Sequence, residues 1–391
     1  MPSLRAMNAL HPTLFLVLAL TAVIALPGCG AMQRHYEAGL ILADIRAGEA
    51  DSRWKRTRPA PERETVEYTG PTGVPRVADL YTPGDEVRSN LVLVHGFTEA
   101  GRRDPRLVQF AKTLSRAGFR VLAPEVETLT RMDVSPENIR DVVDAAHWLD
   151  ARDDGEGVGV AAMSFSVATA VLAALEEDGR PHIGWIVGVG GYYDLVETLT
   201  YVTTGYFTED GERRYQIPRV EGRWVVLLTQ LDRVPDADDR RLLDRIARER
   251  LADPEAETGP LAERLSPPGR AVYALLTNRD PDRVPDLLAA LPDGVRDEIK
   301  ALNLANRDLS RLQAYLLLVH GRDDDVIPWT QSQALKQAAP RGQAELRLVT
   351  GLTHVDVDPG VVGAWRLLRA VNRLLLLRDD PPPTPSSANE P

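Results

Sequence analysis

The chain has 391 residues, 43% of them hydrophobic and 26% charged, with a formal net charge of −11. That length buries a sizeable core as one large domain with an insertion or as two smaller domains. The acidic balance and the absence of any basic run exclude nucleic acid as a partner, because phosphate binding needs clustered cations to release counterions.

The N-terminus reads as a targeting segment. Arg5 supplies a positive residue and Leu14 to Leu26 is nearly all apolar. Thirteen positions are too few for a helix that must cross a bilayer with about 20 residues, so a signal peptide over 1–28 is expected. The following Leu26-Pro-Gly-Cys29 resembles the lipobox of bacterial lipoproteins, with Pro27 in place of the usual small residue. That resemblance implies lipidation at Cys29, a membrane partner through the lipid anchor, and a place in the bacterial cell envelope. Gly30 after the cysteine resembles lipoproteins sorted to the outer membrane, facing the periplasm. Cys29 is also the sole cysteine of the chain, so it has no internal disulfide partner. An ordinary signal cleaved near an incidental cysteine is the alternative.

Residues 29–61 are expected as a lipidated N-terminus and tether, with a short helical pattern from Tyr36 to Ala47. Alternation then begins. Edge strands are predicted at Glu64 to Thr69 and Arg76 to Tyr81, with buried strands at Leu91 to Val94 and Phe119 to Ala123. Leu107 to Ala117 has helical spacing, and Ser135-Pro-Glu-Asn opens a helix to Leu149 with a Ser cap. Strands at Val158 to Ala162 and Ile183 to Val189 flank a helix from Phe165 to Glu177. Apolar strands separated by helices imply an α/β protein, a mostly parallel sheet covered by helices on both faces. Residues 62–192 are the first part of that core.

From 193 to 311 the pattern becomes helical, charged and rich in Pro, with amphipathic pieces at Trp224 to Leu231, Asp239 to Leu251, Pro285 to Leu291 and Val295 to Leu304. An insertion of this size between core strands is a candidate cap or lid. The core resumes over 312–378 with a strand at Tyr315 to Val319, a helix at Thr330 to Ala339, a strand at Ala344 to Val349 and a helix at Pro359 to Leu377. Residues 379–391 are expected as a disordered tail.

Chemistry concentrates at strand ends. Ser164 stops an apolar run in Val158-Gly-Val-Ala-Ala-Met-Ser164 and an alanine-rich helix follows, the pattern of a nucleophile elbow. A serine hydroxyl needs a base within hydrogen-bond reach. His354 in Gly351-Leu-Thr-His hangs from a loop after a strand and fits that role. Asp323, Asp324 and Asp325 compete to orient it. Leu93-Val-His-Gly-Phe97 follows a buried strand and is suited to supply an oxyanion donor.

In these motifs and in element order, the span from Glu64 to Leu377 resembles the α/β-hydrolase family. The resemblance implies the α/β-hydrolase fold with a helical lid and a triad of Ser164, Asp324 and His354. Asp324 is chosen because Asp324-Asp-Val-Ile-Pro328 matches the family's Asp-x-x-Val-Pro with Ile for Val. The oxyanion hole is expected from the N–H groups of Phe97 and Phe165, with His95 orienting its loop. The family's Gly-x-Ser-x-Gly elbow is here Ala162-Met-Ser-Phe-Ser166, and Ser166 is a distant rival nucleophile. The expected activity is hydrolysis of carboxylic esters with a small-molecule ester or lipid-like substrate and no cofactor. A non-catalytic scaffold, a peptidase and an acyltransferase stay open as alternatives, because one fold hosts many chemistries. Gly188-Val-Gly-Gly191 opens no well-patterned helix, so no dinucleotide site is expected, and no metal-ligand spacing is present.

Overall fold

The computed structural model describes residues 30–152, 157–354 and 360–382. Cys29, the signal segment and the tail from 383 lie outside the described residues.

Helices α1 (30–47) and α2 (Arg53–Thr57) precede the sheet. They are followed by β1 (Glu62–Thr69), β2 (Pro75–Thr82), β3 (Ser89–Leu93), α3 (Pro105–Arg116), β4 (Phe119–Pro124), α4 (Glu127–Thr130), α5 (Glu137–Asp150), β5 (Val158–Met163), α6 (Ser166–Leu175) and β6 (Ile183–Val189). After the insertion come β9 (Tyr315–Gly321), α14 (Thr330–Ala338), β10 (Ala344–Val349) and α15 (Gly360–Asp379). Within the insertion lie α7 (Leu195–Thr204), the hairpin β7 (Tyr206–Glu209) and β8 (Glu212–Tyr215), and α8 (Val220–Leu228). The rest of it comprises α9 (Ala237–Ala252), α10 (Gly259–Ala262), α11 (Pro267–Thr277), α12 (Val284–Ala289) and α13 (Asp293–Leu302).

Eight strands form one sheet in the order β1-β2-β4-β3-β5-β6-β9-β10. The pairs β1/β2 and β2/β4 are antiparallel and the others parallel. The central register aligns Leu122, Val92 and Val160 across β4, β3 and β5, and Ile186 with Leu316 across β6 and β9. These residues are buried, as strands covered on both faces require. One face packs α5, α6 and α14 with Val142, Val171 and Leu335; the other packs α1, α3 and α15 with Ile41, Leu114 and Leu375. The insertion has an apolar cluster of its own around Trp224, Leu243, Ile246 and Leu275.

Several local expectations are corrected. The stretch from 48 to 61, read as a tether, is docked onto the core. Trp54 is buried on the α3 side and its Nε1 donates to the Thr113 carbonyl at 3.2 Å, while Asp44 accepts from Ser52 Oγ and from Thr113 Oγ1. Trp54→Ala is therefore expected to lower unfolding free energy by about 3–5 kcal/mol, read as a shifted denaturation midpoint. A change within about 0.5 kcal/mol, as at an exposed surface site, contradicts this packing. The start of α5 is capped from inside: Asn138 Oδ1 accepts the Ser135 N–H at 2.9 Å, where a Ser135 cap was expected. The hairpin of β7 and β8 was not anticipated. It turns on Asp210 and Gly211, both at positive φ (52° and 82°), the geometry that matches the twist of a two-residue hairpin.

Candidate active site

The parallel strands end at one rim, where side chains from four connections converge. At the end of β5 the chain reverses sharply into α6. Ser164 has φ of 56°, a left-handed conformation unusual for a residue with a side chain. Its N–H donates to the Val189 carbonyl at 2.8 Å, and its own carbonyl accepts from Val167 at 3.1 Å, so the strained turn is pinned on both sides. α6 lies close against β6. A Cβ at Gly188 would come within 2.7 Å of Val167 Cγ1, and one at Gly191 within 2.4 Å of Val167 Cβ. The glycine run that carries no dinucleotide motif thus serves this approach.

Ser164 Oγ is 2.8 Å from His354 Nε2, and His354 Nδ1 is 2.9 Å from Asp324 Oδ2. The serine and histidine are 190 residues apart in sequence. Asp324 is buried, and its other oxygen accepts the N–H groups of Val326 at 2.9 Å and Ile327 at 2.8 Å. Burial pushes its carboxyl up, but hydrogen bonds from His320 and His354 outweigh that and hold it well below the usual carboxylate range. Asp324 therefore stays ionised throughout the neutral range and presents an acceptor to His354 Nδ1.

The neighbouring aspartates have separate partners. Asp323 accepts the Gly351 N–H at 2.8 Å, tying down the turn that carries His354. Asp325 pairs with Arg219 at 3.0 Å, joining the acid turn to the insertion. Asp323 is exposed in its turn, whereas Asp325 is half-buried. His320, Gln216 and Arg219 were not assigned roles from sequence. His320 Nε2 lies 2.9 Å from the Ile327 carbonyl and 3.5 Å from Asp324 Oδ2, with Nδ1 2.6 Å from Ser332 Oγ. Gln216 Nε2 donates to the Asp324 carbonyl at 3.0 Å. The signal for His320 was its place four residues before Asp324; nothing local marked the two residues from the insertion.

Phe97 follows β3 and Phe165 precedes α6, with ring centroids 6.0 Å apart. Among the described residues neither backbone N–H is taken by an acceptor. The Phe165 N–H also stands at the positive end of α6, where negative charge is favoured. His95 is fully buried, with Nδ1 2.8 Å from the Gly96 carbonyl and Nε2 accepting the Val126 N–H at 3.0 Å. Burial lowers its pKa, keeping the ring neutral in its loop. Ser166, on the first turn of α6, is buried and its Oγ reaches only toward the His95 carbonyl at 3.5 Å. It is His354 and Ser164 that meet.

The strand order, the left-handed serine at the end of β5 and the chemistry-bearing loops at the carboxyl rim coincide in one known architecture. The chain has the α/β-hydrolase fold. A candidate hydrolase from Legionella pneumophila aligns over 88% of this chain and 95% of its own at 13% identity, with a TM-score of 0.54. An esterase from Pyrobaculum calidifontis aligns over 95% and 98% at 17% identity (TM-score 0.45), and an α/β hydrolase from Penicillium over 80% and 98% at 16% (TM-score 0.48). At a TM-score above 0.5 over 95% of its own length, the Legionella protein shares this fold. No protein-family model matches the sequence. No curated protein matches it.

In this α/β-hydrolase fold the insertion contributes a small cavity of about 60 Å³ beside the rim. Phe165 and Tyr192 floor it, and Leu199, Val226, Leu275 and Ile299 of the insertion wall it, so its surface is almost entirely apolar. Tyr192 stacks edge-on against Phe165 at 5.5 Å and donates its hydroxyl to the Leu302 carbonyl, joining core to insertion. Asp194, also at this edge, caps α7 through the Val196 N–H. A second cleft, lined by Phe97, Leu107, Phe110 and Met163, lies on the other side of the elbow. Among the described residues no group of three His, Cys, Asp or Glu could hold a metal ion, and no helix is long and apolar enough to cross a membrane.

Proposed function

We propose that the protein is a serine hydrolase that cleaves carboxylic esters through an acyl-enzyme. The observation that carries this reading is the unbroken line of contacts from Ser164 Oγ through His354 to Asp324, with the serine on a strained elbow. His354 Nε2 takes the hydroxyl proton as Oγ bonds to the ester carbonyl carbon. The N–H groups of Phe97 and Phe165 stabilise the resulting oxyanion, each donor being worth about 100- to 1000-fold in turnover. Collapse breaks the carbon–oxygen bond to the leaving alcohol, which receives the proton from His354. A water then gives a proton to His354 and attacks the acyl carbon; the carbon–Oγ bond breaks and Ser164 regains its proton. Asp324 orients the ring and stabilises its cation without taking the proton.

The apolar cavity between Phe165 and the insertion favours an apolar acyl group, and the insertion then acts as the lid over it. An ester of a small molecule or lipid is the substrate class this supports, and no step calls for a cofactor. The lipobox resemblance supports a lipid anchor at Cys29 in the bacterial cell envelope, on the periplasmic side of the outer membrane.

The test is a fluorophosphonate probe followed by a substrate panel. Covalent labelling of the folded protein, with faster hydrolysis of aryl esters than of matched peptide amides, is expected. Absence of labelling supports a scaffold protein, and preference for amides supports a peptidase.

A further inference from the structure

The loop that carries Phe97 rests on a buried ionic network that the triad does not use. Asp79 of β2 is fully buried and accepts from Arg63 at 2.6 Å, from Thr65 Oγ1 at 2.9 Å and from Arg102. Arg102, buried between Phe97 and α3, also pairs through Nε with Glu125 Oε2 at 3.3 Å. Glu125 follows β4, and its Oε1 is shielded from solvent yet accepts no hydrogen bond among the described residues. The loop closes directly over it: a Cβ on Gly101, at φ 51°, would lie 1.8 Å from that oxygen. What Oε1 does face is His95 Nε2, 3.8 Å away.

The proton of the His95 ring is placed by its partners. Nε2 accepts the Val126 N–H at 3.0 Å, so the proton sits on Nδ1 and is donated to the Gly96 carbonyl at 2.8 Å. That carbonyl and the Phe97 N–H belong to one planar trans peptide, in which they point in opposite directions. Holding the carbonyl therefore aims the N–H. A second proton, on Nε2, would oppose the Val126 N–H and turn the ring toward Glu125 Oε1, releasing the Gly96 carbonyl. The other charged groups on this side, Asp104 and Arg106 at the start of α3, pair with each other at 2.9 Å, and Thr98 Oγ1 also donates to Asp104 at 3.0 Å. From α6 the uncharged Ser166 faces the His95 carbonyl.

We propose that Arg102 is a positioning residue for the oxyanion hole: by engaging Glu125 it stops that carboxylate from holding a proton on His95 Nε2, and the neutral ring keeps the Phe97 N–H aimed at the reacting carbonyl oxygen. The inference rests on the hydrolase reading of the rim and adds to it a balance of charge, Glu125 against Arg102, set outside the triad. Burial disfavours the imidazolium of His95, whereas Glu125 favours it. Arg102 therefore decides how much of the second influence the ring feels.

Histidine ring ¹⁵N resonances and kcat on an aryl ester, both followed against pH in the full chain, test this. In the wild type His95 is expected to keep its Nδ1–H form above about pH 6. Arg102→Gln is expected to move the titration of His95 up by more than about one pH unit, and to lower kcat on the acid side about tenfold beyond the wild-type loss, at unchanged KM. Adding Glu125→Gln is expected to remove both effects, and Arg102→Lys, which keeps the charge, to show neither. A kcat loss equal at every pH, with His95 titrating as in the wild type, overturns the proposal and leaves Arg102 a structural residue. A shifted titration with no change in kcat overturns the link to the Phe97 N–H. Should Arg102→Gln not fold, Glu125→Gln alone decides: His95 is then expected to titrate at lower pH than in the wild type, and an unchanged titration overturns the proposal. The ring resonances report the charge balance without turnover and fluorophosphonate labelling reports the hydrolase reading, so the two fail separately.

Discussion

Ser164→Ala is expected to lower kcat on an aryl ester by about 10⁵- to 10⁶-fold, as loss of the nucleophile does when the rest of a triad is intact. The residue that remains after substitution can still bind substrate, so KM changes little. The elbow itself persists. Its strain resides in the backbone at φ 56°, which alanine tolerates about as well as serine, and the Val189 and Val167 hydrogen bonds use backbone atoms alone. Unfolding free energy is therefore expected to stay within about 1 kcal/mol, which separates lost chemistry from lost structure. Single-turnover kinetics with a thermal melt on the same sample measure both. Retention of more than about a hundredth of the activity contradicts Ser164 as nucleophile, since binding and oxyanion stabilisation alone give far less.

Asp324→Asn is expected to reduce kcat by about 10⁴-fold at nearly unchanged KM, through the tautomer of His354. The two backbone N–H groups of Val326 and Ile327 demand an oxygen at the position of Oδ1, so the new side chain keeps its carbonyl there. Its NH₂ then faces His354 Nδ1, which must accept. The ring proton moves to Nε2 and points at the Ser164 hydroxyl, leaving no lone pair to receive the serine proton. The measurement is a steady-state comparison with Asp325→Asn, whose carboxylate pairs with Arg219 and is expected to matter less than tenfold. Equal losses in the two variants contradict the assignment.

Much of this architecture was readable because the core strands are apolar throughout. β3, β5, β6 and β9 each present a short run with no polar interruption in its middle, and the order of strands and helices follows from them. Ser164 and Asp324 were legible for the related reason that their loops follow such runs. The hairpin of β7 and β8 was not legible: all four residues of β8 are exposed, so no alternation marks it. The segment around Trp54 failed differently. It is polar by composition, and one buried tryptophan with one capped serine decides its position.

The amino-acid sequence alone determined the succession of strands and helices along the chain, the elbow and the set of chemistry-bearing loops, since each depends on residues within a few positions of one another; the order of the strands in the sheet was set by long-range pairing. The motif singled out Asp324 among three consecutive aspartates, but what its two neighbours do was decided only in three dimensions. Neighbours in a turn point in different directions, and here they reach Gly351, His354 and Arg219 respectively. The apolar cavity was likewise settled by tertiary packing, because it is assembled from segments distant in the chain whose approach no local pattern encodes.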